Sequence, residues 1–193
     1  RVSEREIRDF VAGKTAWLTK YMALVPEKIK FRYVTGESHH VFGKAYPLQV
    51  LLGPRDEAGI SSGGELQLVL RTKQSDREDI FKEGMKRILL WEIEKQLEIW
   101  TKRMAIPESR ITGVTIRVMK SRWGSCRRVT GRFSFALDLV TKPKECIEAV
   151  VVHELCHLFA AGHGADFYAR METYLPDYKE RDRLLASLPR ELI

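Results

Sequence analysis

A chain of 193 residues, 44% hydrophobic and 31% charged, can bury one proper core and reads as a single globular domain. No apolar run approaches the roughly 18 residues that a membrane-crossing helix needs, which speaks against an integral membrane protein. Three cysteines, an odd number with no C-x-x-C pair, speak against a disulfide scaffold and fit a reducing, cytoplasmic compartment, although a start at Arg1 without Met leaves room for an export signal upstream.

Ser3-Glu4-Arg5-Glu6 makes a capping box, and Ile7, Phe10, Val11, Trp17, Leu18 and Tyr21 follow at helical spacing. Residues 30–72 read as short strands and turns, with Leu66, Leu68 and Leu70 alternating against Gln67, Val69 and Arg71. Ser75-Asp76-Arg77-Glu78 is a second capping box. It opens a long helix to about Met104, whose apolar side runs through Ile80, Met85, Ile88, Leu89, Trp91, Ile93, Leu97 and Trp100. Val114–Met119 and Phe133–Val140 read as strands joined by an Arg-rich loop. The second strand is expected to form the sheet edge beside the site developed below. A helix from about Glu145 to Ala161 follows, and short helices finish the chain. His39 and His40 carry no ligand spacing and fit a surface hairpin.

The chemistry concentrates in His153-Glu154-Leu155-Cys156-His157. Histidines four apart on a helix share one face, so their imidazoles can grip one Zn²⁺ while the intervening Glu acts on a water in the open position. His163 lies six residues on, behind Ala161-Gly162, where a glycine can end the helix and turn the chain back. Three protein ligands leave a place for water, as in a catalytic zinc site. Cys156 should pack on the far side of the helix, because a fourth protein ligand would close the site. Asp166 and Asp177 are candidates for orienting a ligand imidazole. The spacing of the three histidines equals that of the metzincin pattern, but Ala160 stands at its glycine and no Met-turn follows.

Taken together, Ser121-Arg122-Trp123-Gly124-Ser125-Cys126, Phe133 to Leu139, Val151 to His157, His163-Gly164-Ala165-Asp166-Phe167-Tyr168 and Leu175-Pro176-Asp177-Tyr178 resemble the YgjP-like metallopeptidases. The likeness extends to Gly36-Glu37 and Gly43-Lys44-Ala45-Tyr46, with Gly164 and Tyr168 replacing a Ser and a Trp of the family pattern. It implies an α+β, compact zincin-like domain over 1–193, in which a small mixed or antiparallel sheet packs on the HExxH helix. Within it, 1–72 would supply an N-terminal helix and β-rich part, and 73–193 the catalytic core. It also implies one Zn²⁺ on His153, His157 and His163, with Glu154 as general base for hydrolysis of a peptide.

The location of the net charge of +7 bears on the substrate. Between Glu108 and Asp138 there is no acid but seven bases: Arg110, Arg117, Lys120, Arg122, Arg127, Arg128 and Arg132. A focused positive field favours an anionic partner: an acidic peptide, a phosphate or a nucleic acid. Arg122 is the candidate second stabiliser of a developing oxyanion. Trp123, Ser125, Arg127 and Arg128 complete a candidate substrate-binding set. Three functions follow: a zinc metallopeptidase, a metal-dependent nucleotide phosphohydrolase with phosphate on the Arg-rich segment, or a nucleic-acid-binding module with a structural zinc. Glu154 argues against the third, because a structural site needs no base there.

Overall fold

Alternation and capping place most elements where the sequence predicts them. The computed structural model describes residues 3–22 and 30–192. Two compact units divide the chain, Arg1–Lys30 and Phe31–Ile193. In the first, helix α1 (Glu4–Met22) starts on the predicted capping box: the Ser3 N–H donates to Glu6 Oε2 at 2.8 Å and the Glu6 N–H to Ser3 Oγ at 3.3 Å. The side chains of Trp17, Leu18 and Tyr21 lie outside the described residues.

The second unit is α+β with two small mixed sheets. Strands β1 (Ser38–Val41), β2 (Lys44–Leu52), β3 (Glu57–Ile60) and β4 (Leu66–Leu70) form one, in the order β1-β2-β4-β3, with β2 and β4 parallel and the outer pairs antiparallel. Leu66, Leu68 and Leu70 are all buried, the inward face that their alternation predicts. Helix α2 (Arg77–Arg103) packs across β3 and β4, burying Phe81, Met85, Leu89, Ile93, Leu97 and Trp100. Trp91, expected on the apolar side, is exposed. Its cap is Asp76, whose side chain accepts the Asp79 N–H at 3.1 Å, while Ser75 Oγ reaches Asp56 instead. Gly84 is where helix meets sheet: a Cβ there would sit 2.3 Å from the Ala58 carbonyl oxygen.

Strands β5 (Gly113–Arg117), β6 (Gly124–Arg127) and β7 (Arg132–Ala136) form the second sheet, in the order β5-β7-β6. Two expectations fail here. The Arg-rich loop contains a strand, β6, and the strand expected to run to Val140 stops at Ala136, giving way to a 3-10 turn at Leu137–Thr141. The predicted edge strand is the central one. β7 pairs in parallel with β5 and antiparallel with β6, so β6 is the edge that meets helix α3 (Lys144–Cys156). The fully buried Phe133 and Phe135 suit an interior strand. Helices α4 (Ala165–Tyr174) and α5 (Tyr178–Ser187) pack on α3. Among the described residues, no helix is long and apolar enough to cross a membrane.

His39 also departs from expectation. It does lie on a hairpin, β1–β2, but its side chain is 2% exposed, packed against Phe31, Tyr33 and Phe81, with Nε2 3.0 Å from Glu37 Oε2. Only His40 faces solvent.

Candidate metal centre

Helix α3 ends sooner than the sequence suggests. It stops at Cys156, capped by His157, and the N–H groups of Leu158 and Ala160 return to the carbonyls of Leu155 and Cys156. Gly162 is not in the left-handed region, so no glycine cap of the expected kind closes the helix. A four-residue bend carries the chain round to α4 and brings His163 back over the helix end.

His153 and His157 then share one face of α3, with His163 against them. One ring nitrogen from each lies within 4.8 Å of the others, and Nε2 of His153 and of His163 are 3.0 Å apart. Phe167, 1% exposed, is the floor of the cluster, its ring centroid 4.7–4.8 Å from all three imidazoles. Its role is not among those expected from the sequence. An aromatic four residues after the third histidine, on the first turn of the next helix, was the available signal. His157 Nδ1 donates to the Ala160 carbonyl at 3.2 Å, which leaves Nε2 free as a ligand. That carbonyl takes the orienting role expected of the two aspartates. Asp177 accepts Arg181 Nε at 2.9 Å instead, and no hydrogen bond joins Asp166 to an imidazole among the described residues.

Glu154 is 5% exposed, and its Oε2 has no hydrogen-bond partner among the described residues. Burial pushes the carboxyl up to about 7, against the opposing pull of the Arg122 charge. Burial, reinforced by the other two histidines, holds His153 down at about 4, and burial likewise lowers His157. Three neutral imidazoles are a donor set that can hold a divalent cation, and the cation's charge would favour the ionised form of the neighbouring Glu154. The residues fit a catalytic metal. Gly124, on the edge strand, makes room for the carboxylate: a Cβ there would lie 2.5 Å from Glu154 Oε1.

A cleft of about 720 Å³ holds this group. His153, Glu154, His157 and His163 line it together with Arg122, Trp123, Ser125 and Arg128 from the β6 side and Asp182 and Leu185 from α5. The α5 contribution had no sequence signal. Arg127 is the one predicted substrate residue outside this cleft; it lines a neighbouring groove. Cys156 is fully buried, its thiol pushed up to about 11 by burial.

The C-terminal segment braces residues 119–123, of which Ser121, Arg122 and Trp123 line the cleft. The Arg190 guanidinium stacks 3.8 Å over the Trp123 ring and donates to the carbonyls of Met119 at 2.6 Å and Arg122 at 3.2 Å. The segment is pinned in turn by Asp138, whose Oδ1 accepts the N–H groups of Glu191 at 2.7 Å and Leu192 at 2.8 Å, and by Lys142 on the Pro189 carbonyl.

The family model described as "YgjP-like, metallopeptidase domain" matches residues 1–188. The chain belongs to that family. Membership makes it a metallopeptidase, which implies a catalytic metal, and the three histidines are a group that could hold one. The Arg190 stack lies just past the matched stretch. Among solved structures, the chain is similar to two metallopeptidase zymogens. One is abylysin of Pyrococcus abyssi (23% identity, TM-score 0.44, covering 52% of this chain and 99% of that one). The other is jannalysin of Methanocaldococcus jannaschii (20% identity, TM-score 0.43, 49% and 93%). No curated protein matches the chain.

Proposed function

We propose that this YgjP-like protein hydrolyses peptide bonds with one Zn²⁺ held by His153, His157 and His163 and with Glu154 as the general base. The observation that carries the reading is the unpartnered, buried Glu154 carboxylate in the same cleft as three converging imidazoles. When bound, the metal supplies Lewis acidity, polarising a carbonyl and bringing the pKa of water from about 15.7 toward about 7.

The protein supplies the rest. Phe167 and the Ala160 carbonyl fix the ring planes and the His157 tautomer. Glu154, packed against Gly124 with one oxygen free, takes a proton from the attacking water and passes it to the leaving amine. Burial raises its basicity and Arg122 tempers it; lining the same cleft, Arg122 would stabilise charge developing on the substrate oxygen. The open edge of β6 offers main-chain donors and acceptors to an extended peptide, the part first expected of β7.

A second reading, hydrolysis of a nucleotide phosphate, draws support from Arg122 and Arg128 in the cleft. Incubating zinc-loaded protein with casein and with nucleoside triphosphates separates the two. We expect casein cleavage that falls about two to four orders of magnitude in Glu154→Gln, the usual worth of a positioned base. Triphosphate turnover with inert casein would reverse the order, and undiminished turnover by the variant would remove Glu154 from the mechanism.

A further inference from the structure

The second sheet has one face in the core and one open. Val114, Ile116, Cys126, Phe133 and Phe135 point inward. Register puts two cross-strand rows on the other face: Gly113, Arg132 and Arg127 in one, and Thr115, Ser134 and Ser125 in the next, with Arg117 at the end of β5. This face is the floor of a groove of about 820 Å³, walled by residues 118–122.

Five cations line the groove, Arg117, Lys120, Arg122, Arg127 and Arg132, and no acid does. None of the five is in an ion pair among the described residues; what sets the groove apart is that five bases lie together on a lining without an acid. Arg127 and Arg132 stand directly opposite each other, and like charges at paired positions cost stability. The hydroxyls of Ser125 and Ser134 beside them have no hydrogen-bond partner among the described residues. A face that sets donors and positive charge together, with no acid on its lining among the described residues, suits an anionic ligand.

Which anion is decided by what adjoins the groove. It opens into the catalytic cleft, the two sharing Ser121, Arg122, Ser125 and Cys126. A polypeptide added to the free edge of β6 would send alternate side chains over this face and the others toward the metal centre. No aromatic side chain lines the groove, so bases of a nucleic acid would find nothing to stack on. Resting on the peptidase reading, we propose that the groove is an exosite for an acidic stretch of the substrate. The stretch runs on from the scissile bond along β6, with carboxylates at alternate positions meeting Arg127, Arg132 and the Ser125 and Ser134 hydroxyls.

The test is fluorescence anisotropy with zinc-loaded Glu154→Gln protein and two labelled decapeptides, alternating Glu-Ala and alternating Gln-Ala. The Glu peptide should bind about tenfold tighter at low salt, as expected for a few exposed charge pairs, and the advantage should shrink as salt screens them. Arg127→Gln with Arg132→Gln should remove most of it. Equal binding of the two peptides would overturn the proposal, as would a preference untouched by the double variant. So would displacement of the Glu peptide by a DNA duplex of equal charge at far lower concentration, which would make the face a nucleic-acid site. Wild-type cleavage separates the two levels of inference. Binding with the expected preference but no peptide cleavage would remove the peptidase reading alone. Cleavage of both peptides at equal kcat/KM would remove the exosite alone.

Discussion

Gly124→Ala tests the site with one methyl group. Its Cβ would lie 2.5 Å from Glu154 Oε1, 2.7 Å from Cγ and 2.9 Å from Cδ, against ordinary contacts that begin near 3.4 Å. The Gly124 backbone is outside the left-handed region, so alanine adds no backbone strain and the effect is steric. Glu154 is 5% exposed and cannot swing into solvent, so its carboxylate must retreat by roughly 1 Å or β6 must move away from α3. Misplacing a catalytic group by about 1 Å costs on the order of a hundredfold in rate, and overpacking of this kind costs about 1–3 kcal/mol of stability. We expect kcat on the best peptide substrate to fall about a hundredfold, with zinc content unchanged. A double-mutant cycle identifies the route: on a Glu154→Gln background the alanine should cost little further activity, because both substitutions strike the same group. Wild-type kcat in Gly124→Ala, or full additivity with Glu154→Gln, would refute the reasoning.

Protein expressed with zinc should carry about one ion per chain, and His153→Ala should lose it while keeping its circular dichroism; a stoichiometry unchanged by the substitution would place the metal elsewhere. Arg190→Ala should loosen residues 119–123, raise KM more than it lowers kcat and shift Trp123 fluorescence, with Arg190→Lys restoring only part because lysine cannot both stack and fork. Unchanged KM in Arg190→Ala would reduce the stack to packing. Burial, then the charge of Glu154, pushes the Cys126 thiol up to about 11. The thiolate is the reactive form, so alkylation at pH 8 should run about a hundredfold slower than that of a free cysteine and climb tenfold per pH unit toward 11. Modification at the free-cysteine rate, read by mass spectrometry, would contradict that environment.

Local rules made a large part of this protein legible without coordinates. Residues four apart on a helix must share a face, so His153 and His157 were paired by spacing alone. The Ser3–Glu6 box, the Leu66–Leu70 alternation and the long helix α2 are equally local, and each stands within a residue or two of its predicted place. The gathering of the net charge between Arg110 and Arg132 needed only counting. Tertiary pairing decided the rest. β5 skips its chain neighbour β6 to pair with β7, and that exchange makes β6 the edge at the metal centre and splits the arginines between the cleft and the groove. Alternation says which residues share a face; it does not say which strand lies beside which. Gly124 against Glu154, thirty positions on, and Arg190 on Trp123, sixty-seven positions back, are contacts of the same kind. They arise when separately formed elements pack, so the residues near each end of the chain's loops carry no local mark of them.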